Sequence, residues 1–356
     1  MRGMRRGRLL VFRLILGTVL TATTLLFVEG AFGLMLSHPR LLARAPSRLL
    51  ENFRRVYGGY YRQIVQAEPD FVVYDPELTC TLRPSTVFTH QTSEFRTTYR
   101  TNRMGLRDTD DALRAPEVIV VGDSYAMGWC VEQDEAFPQV LGSLIGLRTL
   151  NAGISSYATA REIALLDRLD TSRLKCLVIH DAHNDQYAHN DLEENASFFL
   201  SADRQIPSSP ERFQEEQARF GRARSYFLGK YLAAFFWPSA LEHPHSPRSL
   251  GEVQVKKSVG WLFLNALLHA GKADLSHFRI LTFEMRPFAR TKNDFMDSVK
   301  SERDDARYPE FVRQIVLLSM QDRLKPEHAF VLDDHLRASG HRVIAEALAA
   351  EILRSQ

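Results

Sequence analysis

A serine hydroxyl set just beyond a buried strand, with a histidine and an acid elsewhere in the chain, is the minimum equipment for nucleophilic acyl chemistry. Ser124 has that setting. It follows Val118-Ile119-Val120-Val121, four β-branched apolar residues that fit a fully buried central strand better than a helix. Gly122 and Asp123 are turn residues, and a helix beginning at Ser124 would aim its backbone N–H groups and positive end at a developing oxyanion. A serine also needs a base, and the base needs an orienting group. Asp333-Asp334-His335 can supply both. At an extended strand end, residues two apart share a side, so Asp333 is expected to orient His335, with Asp334 facing away and held as the fallback. His341, which follows Gly340 at the start of the last helix, is expected to cap or pack rather than to act as the base.

Two more short blocks lie between these ends, Asn151-Ala152-Gly153 and Ala182-His183-Asn184-Asp185. With Gly122-Asp123-Ser124 and the Asp-Asp-His segment they resemble, in order, the four blocks of the SGNH (GDSL) hydrolase superfamily, named for its Ser, Gly, Asn and His. The resemblance runs from about Tyr99 to the C-terminus, with a weakly matching insert. It implies an α/β fold, a three-layer α/β/α sandwich of flavodoxin-like type on a parallel sheet. It also implies an oxyanion hole made of the backbone N–H of Ser124, the backbone N–H of Gly153 and the side-chain amide of Asn184. Gly153 has no Cβ to keep a substrate off the backbone, and Asn184 offers a neutral donor that does not titrate. No metal and no other cofactor is implied. The chain departs from the family pattern at Ala182, where a glycine is usual, and at Leu332, where the acid usually stands three residues before the histidine. The two-residue spacing of Asp333 and His335 resembles that of cell-envelope polysaccharide acetylesterases and acetyltransferases. The implied substrate is an acylated carbohydrate or another small ester. Three functions stay open: hydrolysis, O-acetyl transfer from a donor delivered by a membrane-bound partner, and glycan binding without turnover.

Around these residues the pattern alternates strand and helix from Pro116 onward, which points to a parallel sheet. Strands are expected near 118–123, 148–153, 176–181, 278–284 and 328–333, and helices near 136–146, 158–170, 309–323 and 339–353. An insert over about 189–273 has helical stretches at Arg224–Phe236 and Ser258–Leu268 and a Pro-rich loop after Trp237. Ahead of this domain of 116–356, residues 29–115 read as a juxtamembrane helix or stalk followed by short β pieces at 71–74 and 86–89. The stretch Asn102-Arg103-Met104-Gly105-Leu106-Arg107-Asp108 leads in to the catalytic strand, and similar lead-ins occur in membrane-anchored bacterial SGNH proteins.

The chain of 356 residues, 45% hydrophobic, is long enough for a sizeable core. Its net charge is +2, but Arg2, Arg5, Arg6 and Arg8 carry +4 within residues 1–8, which leaves −2 for the remainder and argues against a nucleic-acid partner. Residues 9–28 form an apolar run with Arg13 as the single charge, long enough to span a bilayer. With the arginines before it, the expectation is a signal-anchor in the inner (cytoplasmic) membrane, single-pass, with the catalytic domain periplasmic; a cleaved signal peptide is the competing reading. Cys176 reads as a core residue, and in an exported domain Cys80 and Cys130 could form a disulfide. His180, Asp181, His183, Asp185 and His189 have metal-ligand chemistry, but strand alternation scatters them over two faces. Neither the Gly-x-Ser-x-Gly elbow of the α/β-hydrolases nor a phosphate-cradling glycine loop is present.

Overall fold

The computed structural model describes residues 2–61, 63–181, 195, 198, 209–237, 257–285 and 294–354. Short apolar runs line up as a five-stranded parallel sheet in the order β6-β5-β7-β8-β9, with β5 at Val118–Gly122, β6 at Thr149–Gly153, β7 at Cys176–Asp181, β8 at Arg279–Glu284 and β9 at Val316–Ser319. Every residue of β5 is buried, and burying each of its Val or Ile side chains is worth roughly 1.5–3 kcal/mol, which commits the segment to the centre. Counted from β5, the order is 2-1-3-4-5. The crossover direction therefore reverses between β5 and β7, and open α/β sheets bind ligands at the carboxyl ends of the strands at such a point. Ser124 lies directly past the carboxyl end of β5.

Alternation along β5 divides its side chains between two cores. Ile119 and Val121 join one with Ile163 of helix Thr159–Leu166, Phe263 of helix Val259–His269 and Phe295 of helix Asp294–Arg303. Val118 and Val120 join the other with Leu141 of helix Phe137–Ile145 and Ile344 and Leu348 of helix Ala338–Leu353. The result is the three-layer α/β/α sandwich on a parallel sheet that the sequence led us to expect.

In and beside the sheet, two expected elements are corrected. The helix expected over 309–323 is a single turn at Glu310–Arg313, and the chain then enters edge strand β9, whose Val316, Leu317 and Leu318 are half-buried against β8. The strand expected over 328–333 is a series of bends after the short 3₁₀ turn Pro326–His328. The stretch is closed at its base by an antiparallel bridge between Ala329 and Leu336 and by the His335 carbonyl accepting from Phe330 N–H at 3.1 Å. Phe330 is buried there under the Arg337 guanidinium, 4.7 Å from its ring centre, which is why an apolar residue of this bend imitates a strand in the sequence.

The lead-in adds two antiparallel hairpins, β1 (Val72–Asp75) with β2 (Thr79–Leu82), and β3 (Val87–Gln91) with β4 (Arg96–Arg100). Cys80 on β2, Cys130 after the helix that begins at Ser124 and Cys176 on β7 are all buried, and the disulfide that the sequence allowed is not formed.

The chain divides into two compact units, one of Gln63–Phe220, Pro244–Phe330 and Asp334–Gln356 that contains the sheet, the other of Met1–Arg62, Gly221–His243 and Val331–Asp333. The second is built on the helix Arg2–Ser37. Its described side chains are exposed from Gly7 to Phe27, and from Val28 onward it packs into a small core with Phe53, Val56, Tyr57 and Tyr231. Helices Ser47–Val56 and Lys230–Phe236 complete this core. In the insert, the helix expected at Arg224–Phe236 begins only at Lys230 and runs to Phe236, after Gly229, whose φ of +81° no side-chain-bearing residue adopts cheaply, and a further helix, Pro210–Arg224, precedes it. The helix expected at Ser258–Leu268 runs from Val259 to His269 with Ser258 Oγ accepting from Trp261 N–H at 3.0 Å, while residues 238–256 of the Pro-rich stretch lie outside the described residues.

Candidate active site

Ser124 is fixed from both sides by its neighbours in sequence. Gly122 ends β5 at φ +154°, and a Cβ there would stand 2.7 Å from Ala126 Cβ and 2.9 Å from His180 Cβ, so only glycine lets the chain turn. Asp123 is the N-cap: its Oδ1 accepts from Tyr125 N–H at 2.9 Å and lies 3.2 Å from Nδ1 of buried His180. Ser124 opens the short helix Ser124–Met127, which Gly128 closes in the left-handed region at φ +85°.

The histidine expected to act as the base lies beside Ser124. His335 Nε2 is 2.7 Å from Ser124 Oγ, and the imidazole lies between two rings, stacked on Trp129 at 4.9 Å and 12° and tilted against Tyr125 at 4.5 Å and 32°. Between these rings the imidazole is buried and its plane is held. At the other nitrogen, Asp334 Oδ1 is 3.2 Å from His335 Nδ1, and the Tyr125 hydroxyl donates to the Asp334 carbonyl at 3.0 Å. Asp334 was the fallback acid. Residues 331–335 form a bend, not the extended strand on which the expectation for Asp333 rested. Asp333 is fully buried, in the short stretch Val331–Asp333 that belongs with the other compact unit.

Of the three residues expected in the oxyanion hole, two are described. Gly153 ends β6 beside Gly122, and a Cβ on it would collide with the backbone nitrogen of Met127 and sit 2.6 Å from the carbonyl carbon of Ala126. The glycine therefore lets β6 press against the helix that begins at Ser124. Its N–H donates to Asn151 Oδ1 at 3.0 Å. Asn184 lies outside the described residues, three positions beyond the end of β7, the strand that pairs with β5.

His341, the competing candidate for the base, is buried, its Nδ1 accepts from Phe137 N–H at 3.2 Å, and burial, followed by the Arg107 charge, pushes its pKa down to about 3. Of the residues with metal-ligand chemistry, His180 packs between Tyr125 and Phe283 beside Asp123, and His183, Asp185 and His189 lie outside the described residues.

The lead-in does work that its sequence did not reveal. Asn102 Oδ1 accepts from Met104 N–H and Leu106 N–H, both at 3.0 Å, and Gly105, at φ +77°, turns where a Cβ would strike the Leu82 carbonyl. That turn leads into Arg107, which reaches the end of the helix that begins at Ser124, and Asp108, which reaches β6. The buried Arg107 guanidinium lies 4.3 Å from the centre of the Tyr99 ring and donates to the carbonyls of Met127 at 3.1 Å, of Gly128, and of Val131 at 2.5 Å. It thus holds the loop that carries Trp129. Burial pushes its pKa down to about 10, still protonated at neutral pH. Asp108 Oδ2 accepts from Asn151 N–H at 2.8 Å, and its Oδ1 accepts from Thr109 N–H at 2.7 Å. Arg107 braces the helix side of the site and Asp108 the β6 side.

Burial pushes Asp108 up from 3.8 to about 6, against the hydrogen bonds that favour its charged form. A carboxyl whose pKa is raised on folding stabilises the folded chain below the unfolded value and loses that contribution as pH rises through the folded value. Between pH 4 and pH 7 this group therefore costs on the order of 3 kcal/mol, at about 1.4 kcal/mol per unit. In chemical denaturation at the two pH values, Asp108→Asn should show a smaller decline than wild type by roughly that amount. Superimposable pH profiles would show that the buried carboxyl does not titrate there.

No family model and no curated protein matches the sequence. Among solved structures, a lipolytic protein of the G-D-S-L family from Desulfitobacterium hafniense is similar at TM-score 0.33 and 12% identity, over 65% of this chain and 97% of that one. A carbohydrate acetylesterase family member from Sinorhizobium meliloti follows at TM-score 0.29 and 12% identity, over 67% and 98%. An extracellular lipase from Streptomyces rimosus is similar at TM-score 0.32 and 11% identity, over 66% and 99%. Overlap this low carries no chemistry across.

Proposed function

We propose that the chain is a serine esterase of SGNH type that removes O-acyl groups, acetyl foremost, from a cell-envelope or extracellular glycan. The observation that carries the reading is the 2.7 Å approach of His335 Nε2 to Ser124 Oγ, with a carboxylate at the opposite ring nitrogen. As Oγ attacks the ester carbonyl, Nε2 takes the serine proton and Asp334 stabilises the imidazolium that forms. The tetrahedral adduct collapses with cleavage of the bond to the sugar oxygen, which leaves as a hydroxyl after taking the proton from His335. Water then attacks the acyl-serine, His335 again takes a proton, and the carboxylic acid departs as Ser124 recovers its own. Backbone N–H groups of Ser124 and Gly153 and the Asn184 amide are the proposed oxyanion donors, each worth about 10²–10³ in rate. Gly153 N–H would exchange its Asn151 partner for the oxyanion during the reaction.

In this reading the helix Arg2–Ser37 anchors the protein in the cytoplasmic membrane. A stretch of it is long and apolar enough to cross a bilayer, and four arginines precede that stretch. Basic residues on the near side favour a cytoplasmic N-terminus and an extracytoplasmic catalytic domain.

The test is to incubate the full chain in detergent with O-acetylated polysaccharide and measure free acetate, with Ser124→Ala beside it. Acetate release that the variant lacks is the expected result. Acetyl groups appearing on an acceptor sugar from an added acyl donor, without free acetate, would instead identify a transferase with a membrane-delivered donor. Glycan binding without either product would contradict catalysis.

A further inference from the structure

The insert returns to the N-terminal helix at a particular height, and that height has a consequence. Described side chains are exposed from Gly7 to Phe27, a rise of about 31 Å at 1.5 Å per residue, which matches the ~30 Å hydrocarbon core of a bilayer. Two residues further on, Glu29 is almost fully buried. Its carboxylate accepts from Tyr231 N–H and Leu232 N–H, both at 3.1 Å, and so fastens the start of helix Lys230–Phe236 level with residue 29. The other end of that short helix is pinned at nearly the same height, because Phe235 meets Phe32 at 4.9 Å between ring centres. Both ends therefore lie within about 8 Å, along the helix axis, of the last lipid-length residue, Phe27.

Flanking this short helix are Tyr226, Phe227, Leu228, Phe236 and Trp237, all 50–66% exposed. A soluble surface rarely gathers large apolar side chains without a partner for them. Aromatic residues at this height are what membrane proteins place in the headgroup layer, where a ring is half-solvated and half-buried in acyl chain. The same unit carries exposed Arg40, Arg44 and Arg48 just past the N-terminal helix, which suit anionic headgroups.

We propose that the insert segment Tyr226–Trp237 is a second membrane-contacting element: its exposed aromatic side chains sit in the outer headgroup layer of the same bilayer that the N-terminal helix crosses. The insert then acts as a collar at the point where the chain leaves the membrane. This rests on the reading of Arg2–Ser37 as a membrane-spanning helix.

The experiment separates the two ideas. Single cysteines at Phe227→Cys, Phe236→Cys and, as the anchor control, Leu16→Cys are labelled with an environment-sensitive fluorophore in the full chain. The three native thiols are buried, and wild type serves as the unlabelled reference. Each protein is reconstituted into phosphatidylglycerol–phosphatidylcholine vesicles containing lipids with a nitroxide either near the headgroup or near the chain end. Label at position 16 should be quenched chiefly by the deep nitroxide. Labels at 227 and 236 should be quenched on the order of twofold more by the shallow one, as expected for side chains within roughly 5–10 Å of the headgroup boundary. Quenching at 16 with none at 227 or 236 would overturn the collar and leave the anchor standing. No quenching at 16 would overturn both.

Discussion

His335→Ala is expected to lower ester turnover by about 10⁴–10⁶-fold, the range seen when the base of a serine triad is removed and only binding and the oxyanion hole remain. The size follows from what the imidazole does here. Its Nε2 is the atom placed 2.7 Å from the serine oxygen, and Trp129 and Tyr125 on its two sides hold it at that distance. The variant leaves a gap between those rings, which should cost about 1–3 kcal/mol of stability without unfolding the domain. Turnover of a p-nitrophenyl ester, read beside a melting curve, distinguishes lost chemistry from lost fold. A folded variant that keeps more than a tenth of wild-type turnover would remove His335 from the mechanism.

The second large effect separates two adjacent carboxylates. Asp334→Asn should lower turnover by about 10⁴-fold, because an amide at Nδ1 favours the wrong imidazole tautomer and no longer stabilises the imidazolium. KM should change little, since Asp334 does not face the substrate in the proposed mechanism. Asp333→Asn should act mainly on stability: the residue is fully buried, and a changed polar group at such a site typically costs 1–3 kcal/mol. Asp334→Glu is expected to recover part of the lost rate. If instead Asp333→Asn abolishes turnover while Asp334→Asn is nearly wild type, the orienting acid is Asp333, as the spacing in the sequence first suggested.

This pair of neighbours shows where sequence reasoning reaches and where it stops. The placement of Ser124 just past a central strand was readable because β5 is a continuous apolar run that ends in glycine, and few structures other than a central strand can bury it. His335 was readable because it is one of few histidines set beside acids near the C-terminus. The choice of acid was less legible, because deciding between Asp333 and Asp334 needs the local backbone, and Val331–His335 is a bend to which the period-two rule does not apply. Edge strand β9 was taken for part of a helix because Phe311, Val312 and Ile315 to Leu318 satisfy both periods, and a half-buried strand of four residues has little pattern of its own. The brace formed by Arg107 and Asp108 was hidden for a different reason: most of its partners are main-chain groups of Met127, Gly128, Val131 and Asn151, which leave no mark in the sequence of side chains. The signal that could have found it was the position of an Arg-Asp pair just before a buried strand, where neither charge can be left unpaired cheaply.

All of this chemistry depends on one property, that the Ser124 hydroxyl is activated. Fluorophosphonate labelling of the full chain in detergent, followed by mass mapping of the adduct, measures that property without knowledge of the substrate. A single adduct on Ser124, lost in His335→Ala, is the result expected from a serine held 2.7 Å from its base. A folded protein that takes up no label, or takes it up equally well without His335, would contradict it.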